Sequence, residues 1–576
     1  MRLIPVRLWL FAILSGVLQI LPFPIAGPVP VWRTAFCWIA LTPLLFALTG
    51  KDAKGEPVGA LQAAALGYVS GVVWYLGNFY WIYATLHQYG GIAKPAAVGL
   101  LILFCLYLGL YHALFGVLLA AFRRANLWGK NLGVQGVLLL SPFAWVAVEL
   151  TRSRVAGLSW DLLGITQVDN HPLMRLVPYV GAYGISFIIA TINALWLLRI
   201  TLKQRRFTRP ALMGACVLLL LLYVVFLRQI QPPAVEETQA NATLLQENIK
   251  VGVAAESAEP ALTKSEMLNA FSQLSLFPPL NNSCDGIPEM AATKCLDPHA
   301  GLDETQFLES RDLIVWPEAP NGFFESDAEF RLSMSKLARA ANAPIIVGAI
   351  GTDRDNSVKR GYDLYNSADF VQPDGNFAGR YDKMHLVPFG EYVPYKNLLS
   401  FAGSLVEDVG EFDPGKQRVL FATGGHRIGT FICYESAFGD EVRQYANSGA
   451  DVLVNISDDG WYGDTSAAWE HLNIVRMRAI ENHRWVLRST NTGVTAAIDP
   501  YGRVVRAAPR HIRTSLQVGF NYEHDITFYA AHGDLFAYLC ALLTAAGLGV
   551  SLLRKGSLPS RSTTALRNDE QKGAAE

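Results

Sequence analysis

The stretch FICYES, residues 431–436, places Cys433 between two segments with different hydrophobic patterns. An apolar, strand-like segment covers residues 427–431, and a helix-like segment covers residues 437–447. A cysteine at the end of a strand, where the chain turns into a helix, can present its sulfur to a pocket. The signal is weak by itself, because most free cysteines are small buried apolar residues. The rest of the chain has to decide between a catalytic and a structural thiol.

The composition indicates a membrane protein with more than one structural unit. The chain has 576 residues, more than one soluble domain usually holds. Hydrophobic residues make up 51% and charged residues 17%, and the mean hydropathy is +0.24. The net charge of -1, without a block of Lys and Arg, gives no indication of nucleic-acid binding. The scattered cysteines form no C-x-x-C pair, and no metal site or cofactor motif is predicted.

Apolar segments long enough to span a bilayer fill the first part of the chain. We predict spans at residues 8–26, 32–49, 61–83, 96–122, 133–150, 173–198, 211–228 and 529–552. The fold class is therefore an α-helical membrane bundle of about eight spans with an added polar domain. The predicted division is a bundle at 1–230, a non-cytoplasmic catalytic domain at 231–525, a last span at 526–553 and a disordered tail at 554–576.

The short loops predict how the chain crosses the membrane. Alternate loops, such as residues 123–130 and 199–209, carry most of the Lys and Arg residues, as does the tail. Because basic loops stay in the cytoplasm, we expect both termini to be cytoplasmic and residues 231–525 to lie outside. The loop after the fifth span breaks this trend with Arg152 and Arg154.

The segment at residues 150–172 has two open interpretations. It crowds arginines, Trp160 and Asp161 between two spans, and such polar groups beside the hydrocarbon are often functional. An ordinary interfacial loop with snorkelling arginines explains the pattern equally well. The polar residues His112 and Asn193, inside spans, are predicted to form hydrogen bonds between helices.

The polar block alternates strand-like and helix-like segments. Most of its strands are nearly continuous apolar runs, which is typical of a sheet that is covered on both faces. The predicted strands are 243–249, 312–316, 345–350, 365–371, 427–433, 451–457 and 486–498, and the predicted helices are 261–276, 327–341, 437–447 and 466–482. Residues 278–306 resemble a surface insertion. Its Cys284 and Cys295 either form a disulfide or remain free thiols.

Polar side chains follow several strands at the point where each strand ends. Trp316-Pro317-Glu318 ends one strand, and residues 458–463, which include Trp461, follow another. Residues 380–394 contain too many Gly and Pro for regular structure and offer Lys383 and Glu391. A thiol needs a base to become a nucleophile, and a lysine can stabilise the thiolate and the oxyanion. Glu318, Lys383 and Cys433 are residues of the required types, although each alone is more often structural.

Several motifs in one order resemble the nitrilase superfamily. They are W-P-E at 316–318, Y-D-K-x-H-L-V-P-F-G-E-Y-V-P at 381–394 and I-C-Y-E at 432–435. Together with the spans, G-A-D-V-L-V-N at 449–455 and E-L-T-R at 149–152, the chain resembles the apolipoprotein N-acyltransferase family, a membrane-bound branch of that superfamily. The departures are Met384 for a basic residue, Glu247 for a glycine, and Ala468 and Glu470 within a usual P-x-Q.

The resemblance implies an external α/β domain, an α-β-β-α sandwich, and a cofactor-free, ping-pong acyl transfer. Glu318, Lys383 and Cys433 would be catalytic, and Cys433 would carry the acyl chain as a thioester. The donor would be a phospholipid, and the acceptor the amine of the diacylglyceryl-cysteine of an apolipoprotein in the bacterial inner membrane. The other residues implied to support the site or bind substrate are Glu391, Tyr434, Glu435, Trp316 and Trp461.

Two alternatives and one further expectation remain open at this point. A membrane-tethered amidase or nitrilase would use the same three residues to hydrolyse a small C–N substrate. A transporter or receptor with an external sensing domain would tolerate the loss of Cys433. Residues 392–406 form a semi-apolar loop that we expect to dip into the bilayer as a lid, unless the loop packs on its own domain.

Overall fold

The structure of the protein is a computed structural model. The structure describes residues 3–123, 126–127, 130–201, 237–252, 262–278, 311–319, 322–355, 361–392 and 412–553. The predicted span at 211–228 and the tail at 554–576 lie outside these residues. Nearly all of the insertion with Cys284 and Cys295, and of the predicted lid, also lies outside them.

The N-terminal region is a bundle of apolar helices. Its helices are α1 (Val6–Ile20), α2 (Val31–Thr49), α3 (Ala60–Asn78), α4 (Lys94–Phe122), α5 (Gly133–Val155) and α6 (Val177–Thr201). Within the described residues, the five helices α2 to α6 are long and apolar enough to cross a membrane, and α1 is shorter. The predicted helical membrane region is thus confirmed, whereas the total of eight spans stays a prediction.

A polar side chain of α6 supports a break in α2. Asn193 Oδ1 accepts hydrogen bonds from the backbone N–H groups of Leu41 (2.8 Å) and Thr42 (3.0 Å), and its Nδ2 donates to the carbonyl of Cys37 (2.8 Å). The amide therefore satisfies backbone groups that the break leaves unpaired in an apolar environment. Asn193 forms the predicted bond between helices, and His112 contacts Gln19 Oε1 of α1 at 3.3 Å.

Two six-stranded sheets form the centre of the polar domain. The strands are β1 (Ala240–Gln246), β2 (Leu313–Val315), β3 (Ile345–Arg354), β4 (Tyr362–Val371), β5 (Phe377–Asp382), β6 (Leu420–Thr423), β7 (His426–Ile432), β8 (Val452–Ser457), β9 (Val486–Thr490), β10 (Ala496–Ile498), β11 (Val504–Ala507) and β12 (Thr514–Phe520). One sheet has the order β12-β1-β2-β3-β4-β5 and the other β11-β10-β9-β8-β7-β6. In each sheet three neighbouring strands run parallel, β1 to β3 and β7 to β9.

The sheets pack face to face, and helices cover their outer faces. One apolar cluster joins residues of both sheets, with Phe370 stacked on Phe421 at 4.9 Å between ring centroids. The helices are α7 (Lys264–Leu276) and α8 (Ala328–Ala341) over the first sheet, and α9 (Gly439–Asn447) and α10 (Ala467–Asn482) over the second. The predicted α-β-β-α sandwich is confirmed.

The strand predicted at 486–498 is wrong as one element, because the chain reverses within it. β9 and β10 pair antiparallel, with Leu487 opposite Ala497. Thr495 Oγ1 accepts from the backbone N–H of Thr490 (3.1 Å) across the turn. The turn residues 491–493, Asn-Thr-Gly, are polar and small, a pattern that favours a turn over a continuous strand.

The polar domain and the bundle share one apolar core. Ile474 and Met477 of α10 belong to the core cluster of the bundle, whereas Leu472 and Val475 of the same helix pack with the sheets. The last helix, α11 (Leu535–Leu553), packs against α5. Arg154, just after the buried part of α5, forms ion pairs with Asp440 and Asp534, each at 2.6 Å. The segment at 150–172 therefore attaches the two parts to each other.

Candidate active site

Four side chains meet in a buried cluster at the ends of strands. Glu318 follows β2, Asn366 lies in β4, Lys383 follows β5, and Glu391 lies on the turn after it. Lys383 Nζ donates to Glu318 Oε1 (3.1 Å) and Glu391 Oε1 (2.9 Å). Asn366 Nδ2 donates to the same two oxygen atoms, at 2.6 Å each. The Oε1 atom of each carboxylate thus accepts from one cationic and one neutral donor.

The electrostatics of this cluster fix the lysine as an ammonium ion. Burial of Lys383 lowers its pKa, but the negative charges of Glu318 and Glu391 outweigh this effect and hold the pKa well above its ordinary value. The second oxygen of each carboxylate is also fixed. Glu318 Oε2 accepts from the backbone N–H of Asp458 (2.7 Å), and Glu391 Oε2 accepts from that of Val387 (2.7 Å).

Cys433 lies at the end of β7 in a backbone conformation that is rare for a residue with a side chain. Its φ is +50°, and its side chain is buried. Such a conformation costs about 1–3 kcal/mol and is concentrated at functional sites. Burial raises the pKa of the Cys433 thiol, the charge of Glu318 raises it further, and Lys383 opposes the rise. The resting thiol is therefore neutral and needs a base, and the carboxylate of Glu318 is within its electrostatic reach.

Glu435 ties the nucleophile turn to the loop that carries Lys383. Its Oε2 accepts from the backbone N–H of Ile432 (2.7 Å), and its Oε1 accepts from that of Met384 (2.7 Å). Tyr381 Oη donates to the same Oε1 (2.7 Å). With this many donors around it, the Glu435 side chain is a rigid link between β5, β7 and the turn after each.

The remaining predicted residues occupy different places. Tyr434 Oη donates to the carbonyl of Gly157 (2.7 Å), which joins the nucleophile turn to the loop after α5. Trp316 is 1% exposed and its Nε1 donates to Ser275 Oγ (2.9 Å) among the helices over the first sheet. The structure does not bring Trp316 to the thiol, because alternate residues of a strand point to opposite faces. Trp461 lies on the turn after β8 and is 44% exposed.

A second polar network lies behind Cys433. His471 Nδ1 contacts Asp459 Oδ1 (2.8 Å), and Arg488 donates to Asp459 Oδ2 (2.6 Å). His471 Nε2 lies 3.1 Å from the carbonyl oxygen of Cys433 and 2.9 Å from Ser436 Oγ. All these side chains are fully buried. Asp459 belongs to a strand-end group that the sequence suggested, but His471 and Arg488 carried no separate signal.

The structure shows the contacts or burial of Met384, Glu470 and Glu247, three of the departures from the family pattern. Met384 contributes its backbone N–H to Glu435. Glu470 Oε2 accepts from Trp160 Nε1 (2.8 Å), so this carboxylate faces the loop after α5. Glu247 is fully buried, and neither carboxylate oxygen has a hydrogen-bond partner among the residues that the structure describes. Burial, with the neighbouring Asp458, raises its pKa well above the usual value.

One group in the described residues has metal-ligand types close together. His483, Glu523 and Asp525 place one ligand atom each within 4.8 Å of one another. His483 Nδ1 already lies 2.9 Å from Asp525 Oδ1, and Arg484 lies 3.5 Å from the same oxygen, so protein nitrogen groups already contact Asp525. The cluster around Lys383 has one ammonium ion at its centre, which suits acyl transfer rather than metal binding.

Comparison with known proteins matches both parts of the chain. Residues 15–195 match the apolipoprotein N-acyltransferase N-terminal domain, and residues 288–520 match the carbon-nitrogen hydrolase family. A CN-hydrolase superfamily protein from Xanthomonas campestris has a TM-score of 0.33 at 16% identity and covers 49% of this chain and 90% of that chain. An amidase from Nesterenkonia AN1 has a TM-score of 0.34 at 14% identity, covering 53% and 98%.

Three relatives that match most of the chain carry the same description. The apolipoprotein N-acyltransferase of Geobacter metallireducens is 33% identical over 558 residues, or 96% of each chain. That of Methylococcus capsulatus is 32% identical over 83% of this chain and 86% of the relative, and that of Pasteurella multocida is 26% identical over 96% and 97%. The chain therefore belongs to the apolipoprotein N-acyltransferase family.

Proposed function

We propose that this acyltransferase moves a fatty acyl chain from a phospholipid to the N-terminal amine of diacylated apolipoproteins through a thioester on Cys433. Membership of the family makes lipid and lipoprotein the substrate classes. The observation that carries the mechanism is the direct contact between Glu318 and Lys383. They interact electrostatically with the neutral thiol of Cys433, whose backbone has the positive φ described above.

In the first half-reaction Glu318 accepts the proton of the Cys433 thiol, and the thiolate attacks the carbonyl carbon of the phospholipid ester. Lys383, held as an ammonium ion, stabilises the oxyanion of the tetrahedral intermediate. When the intermediate collapses, the C–O bond of the ester breaks, and Glu318 returns the proton to the departing lysophospholipid oxygen.

In the second half-reaction the neutral amine of the acceptor attacks the thioester carbonyl. Glu318 accepts a proton from the attacking nitrogen, and Lys383 again stabilises the oxyanion. The C–S bond then breaks, and the proton on Glu318 passes to the departing thiolate, which restores the neutral thiol. An amide and the free enzyme result.

Three supporting roles complete the proposal. Glu391 positions Lys383 through its 2.9 Å contact, and Glu435 fixes the two loops that carry lysine and thiol. Tyr434 docks the nucleophile turn on the membrane region. The exposure of Trp461 supports a contact with substrate, whereas the buried surroundings of Trp316 support a packing role.

The chain is an inner-membrane protein, and we infer that residues 231–525 face the periplasm with both termini in the cytoplasm. The basic loops on alternate sides of the bundle support this orientation. The domain division at 1–230, 231–525, 526–553 and 554–576 is part of the same proposal. A bilayer site suits both substrates, because each exposed CH₂ group costs about 0.8 kcal/mol.

The test is to incubate membranes containing the full chain with a phospholipid whose acyl chain carries an alkyne. We expect a hydroxylamine-sensitive label on Cys433 that a diacylglyceryl-cysteine peptide removes. Cys433→Ala should abolish the label, and Cys540→Ala, which removes another buried cysteine, should keep it. Absence of the label from the folded wild-type protein would contradict acyl transfer, and release of free fatty acid without an acceptor would favour the hydrolase alternative.

A further inference from the structure

We propose that Asn366 is a positioning residue that aligns both glutamates of the site through a hydrogen bond to each; this inference rests on the proposed function. Its Nδ2 group lies between Glu318 Oε1 and Glu391 Oε1, at 2.6 Å from each. An amide nitrogen has two N–H donors, so one Asn side chain can serve both carboxylates at once.

The backbone of Asn366 holds the third member of the cluster. Its carbonyl oxygen accepts from the backbone N–H of Lys383 (2.8 Å). Asn366 lies inside β4, where it pairs with Ile350 of β3, so its own position is fixed by the sheet. One residue of a central strand thus sets the places of Glu318, Lys383 and Glu391.

The orientation of the amide follows from its neighbours. Two carboxylate oxygens face one end of the side chain, and a carbonyl oxygen at that end would be repelled by both. The nitrogen therefore occupies that end, and the buried Oδ1 has no hydrogen-bond partner in the described part of the chain. An unpaired buried acceptor is unfavourable, so the need to satisfy the amide of Asn366 does not explain where this side chain lies. The two hydrogen bonds that it donates to the carboxylates do.

A neutral donor suits this position better than a second cation. Glu318 and Glu391, when ionised, carry two negative charges, and Lys383 supplies one positive charge. A second cation would suppress the ability of Glu318 to take a proton. The two neutral N–H groups of Asn366 stabilise the carboxylates less than a second cation would. Glu318 therefore keeps its ability to accept a proton.

The pH dependence of thioester formation tests this role in the full-length membrane protein. Asn366→Leu removes both donors at similar volume, and Asn366→Asp keeps the shape but adds a third carboxyl group. Because either change disfavours the ionised glutamates, the acid limb of the rate profile should move to higher pH by about one unit, and further for Asn366→Asp. Asn376→Leu, which removes an exposed amide–carboxylate bond to Asp374, is the matched control and should leave the profile unchanged.

The outcomes separate this inference from the proposed function. Wild-type protein that forms no hydroxylamine-sensitive label would overturn the proposed function itself. Normal labelling in the wild type, with acid limbs of both Asn366 variants that coincide with the wild-type limb, would overturn only the role of Asn366. Thermal unfolding in detergent shows whether each variant is folded. If Asn366→Leu is not folded, the acid limb of Asn366→Asp alone tests the role of Asn366.

Discussion

Replacing Glu318 by Gln should change two reactions of the same thiol in opposite directions. Acylation of Cys433 needs a general base, and loss of such a base reduces the rate by about 10²- to 10⁴-fold, or about 2.7 to 5.4 kcal/mol of activation free energy. Alkylation by iodoacetamide needs only the thiolate. The charge of Glu318 raises the pKa of Cys433, so its removal leaves Lys383 to favour the thiolate, and alkylation at fixed pH should become faster.

The hydrogen bonds of Glu318 also indicate how much stability the Glu318→Gln variant should lose. Glu318 accepts bonds from Lys383 and Asn366 on one oxygen and from the backbone of Asp458 on the other. Gln has a single carbonyl oxygen, so its amide nitrogen must face at least one of these donors. An unmatched buried donor costs about 1–3 kcal/mol, and the free energy of unfolding should fall by that amount.

Acylation is measured with the alkyne-labelled phospholipid and alkylation by mass spectrometry of the Cys433 peptide. Glu325→Gln is the matched control, because Glu325 pairs with Arg331 and Arg380 outside the cluster. A folded Glu318→Gln protein that acylates Cys433 at the wild-type rate would refute the assignment of the base. Slower alkylation would refute the electrostatic part of the reasoning.

Three further changes test the surroundings of the thiol. Burial and Glu318 raise the pKa of Asp458 to about 7, so its carboxyl group makes the folded state less stable as pH rises from about 4 to 7. Asp458→Asn should reduce this pH-dependent loss of unfolding free energy, and an unchanged slope of unfolding free energy against pH would contradict the prediction. Trp160→Phe removes the donor to Oε2 of the buried Glu470 and should cost about 1–3 kcal/mol of unfolding free energy. Combined with Glu470→Leu the loss should be less than additive, and additive losses would argue against coupling. Tyr434→Phe removes the bond to Gly157 and should cost about 0.5–1.5 kcal/mol in thermal unfolding, with thioester formation retained.

The sequence predicted the main architecture because the apolar runs are long and the strands are buried on both faces. Glu318, Lys383 and Cys433 were identifiable by residue type and by motif order, whereas their meeting depends on the pairing of distant strands. Asn366 carried no signal, since an Asn inside a strand is visible as a site residue only when its neighbours across the sheet are known. The reversal between β9 and β10 was missed because both strands are short and buried and only a few residues separate them.

Trp316 shows the limit of motif-based assignment. It stands two residues before Glu318, and the resemblance suggested a supporting or substrate-binding role. The alternation of side chains along a strand puts Val315 with the core between the sheets and Trp316 with the helices on the other face. Proximity in sequence therefore did not mean proximity to the thiol.

The shared core of the two parts has a consequence for when the protein becomes active during its synthesis. Phe438, five residues after the nucleophile, belongs to the core cluster of the membrane helices, and so does Ala537 of the last helix. Arg154 joins Asp440 near the nucleophile turn to Asp534 just before that helix. A growing chain that has completed its two sheets but does not yet include α11 lacks these contacts. We expect such a chain to be inert, which would protect the surrounding lipids from a half-assembled acyltransferase.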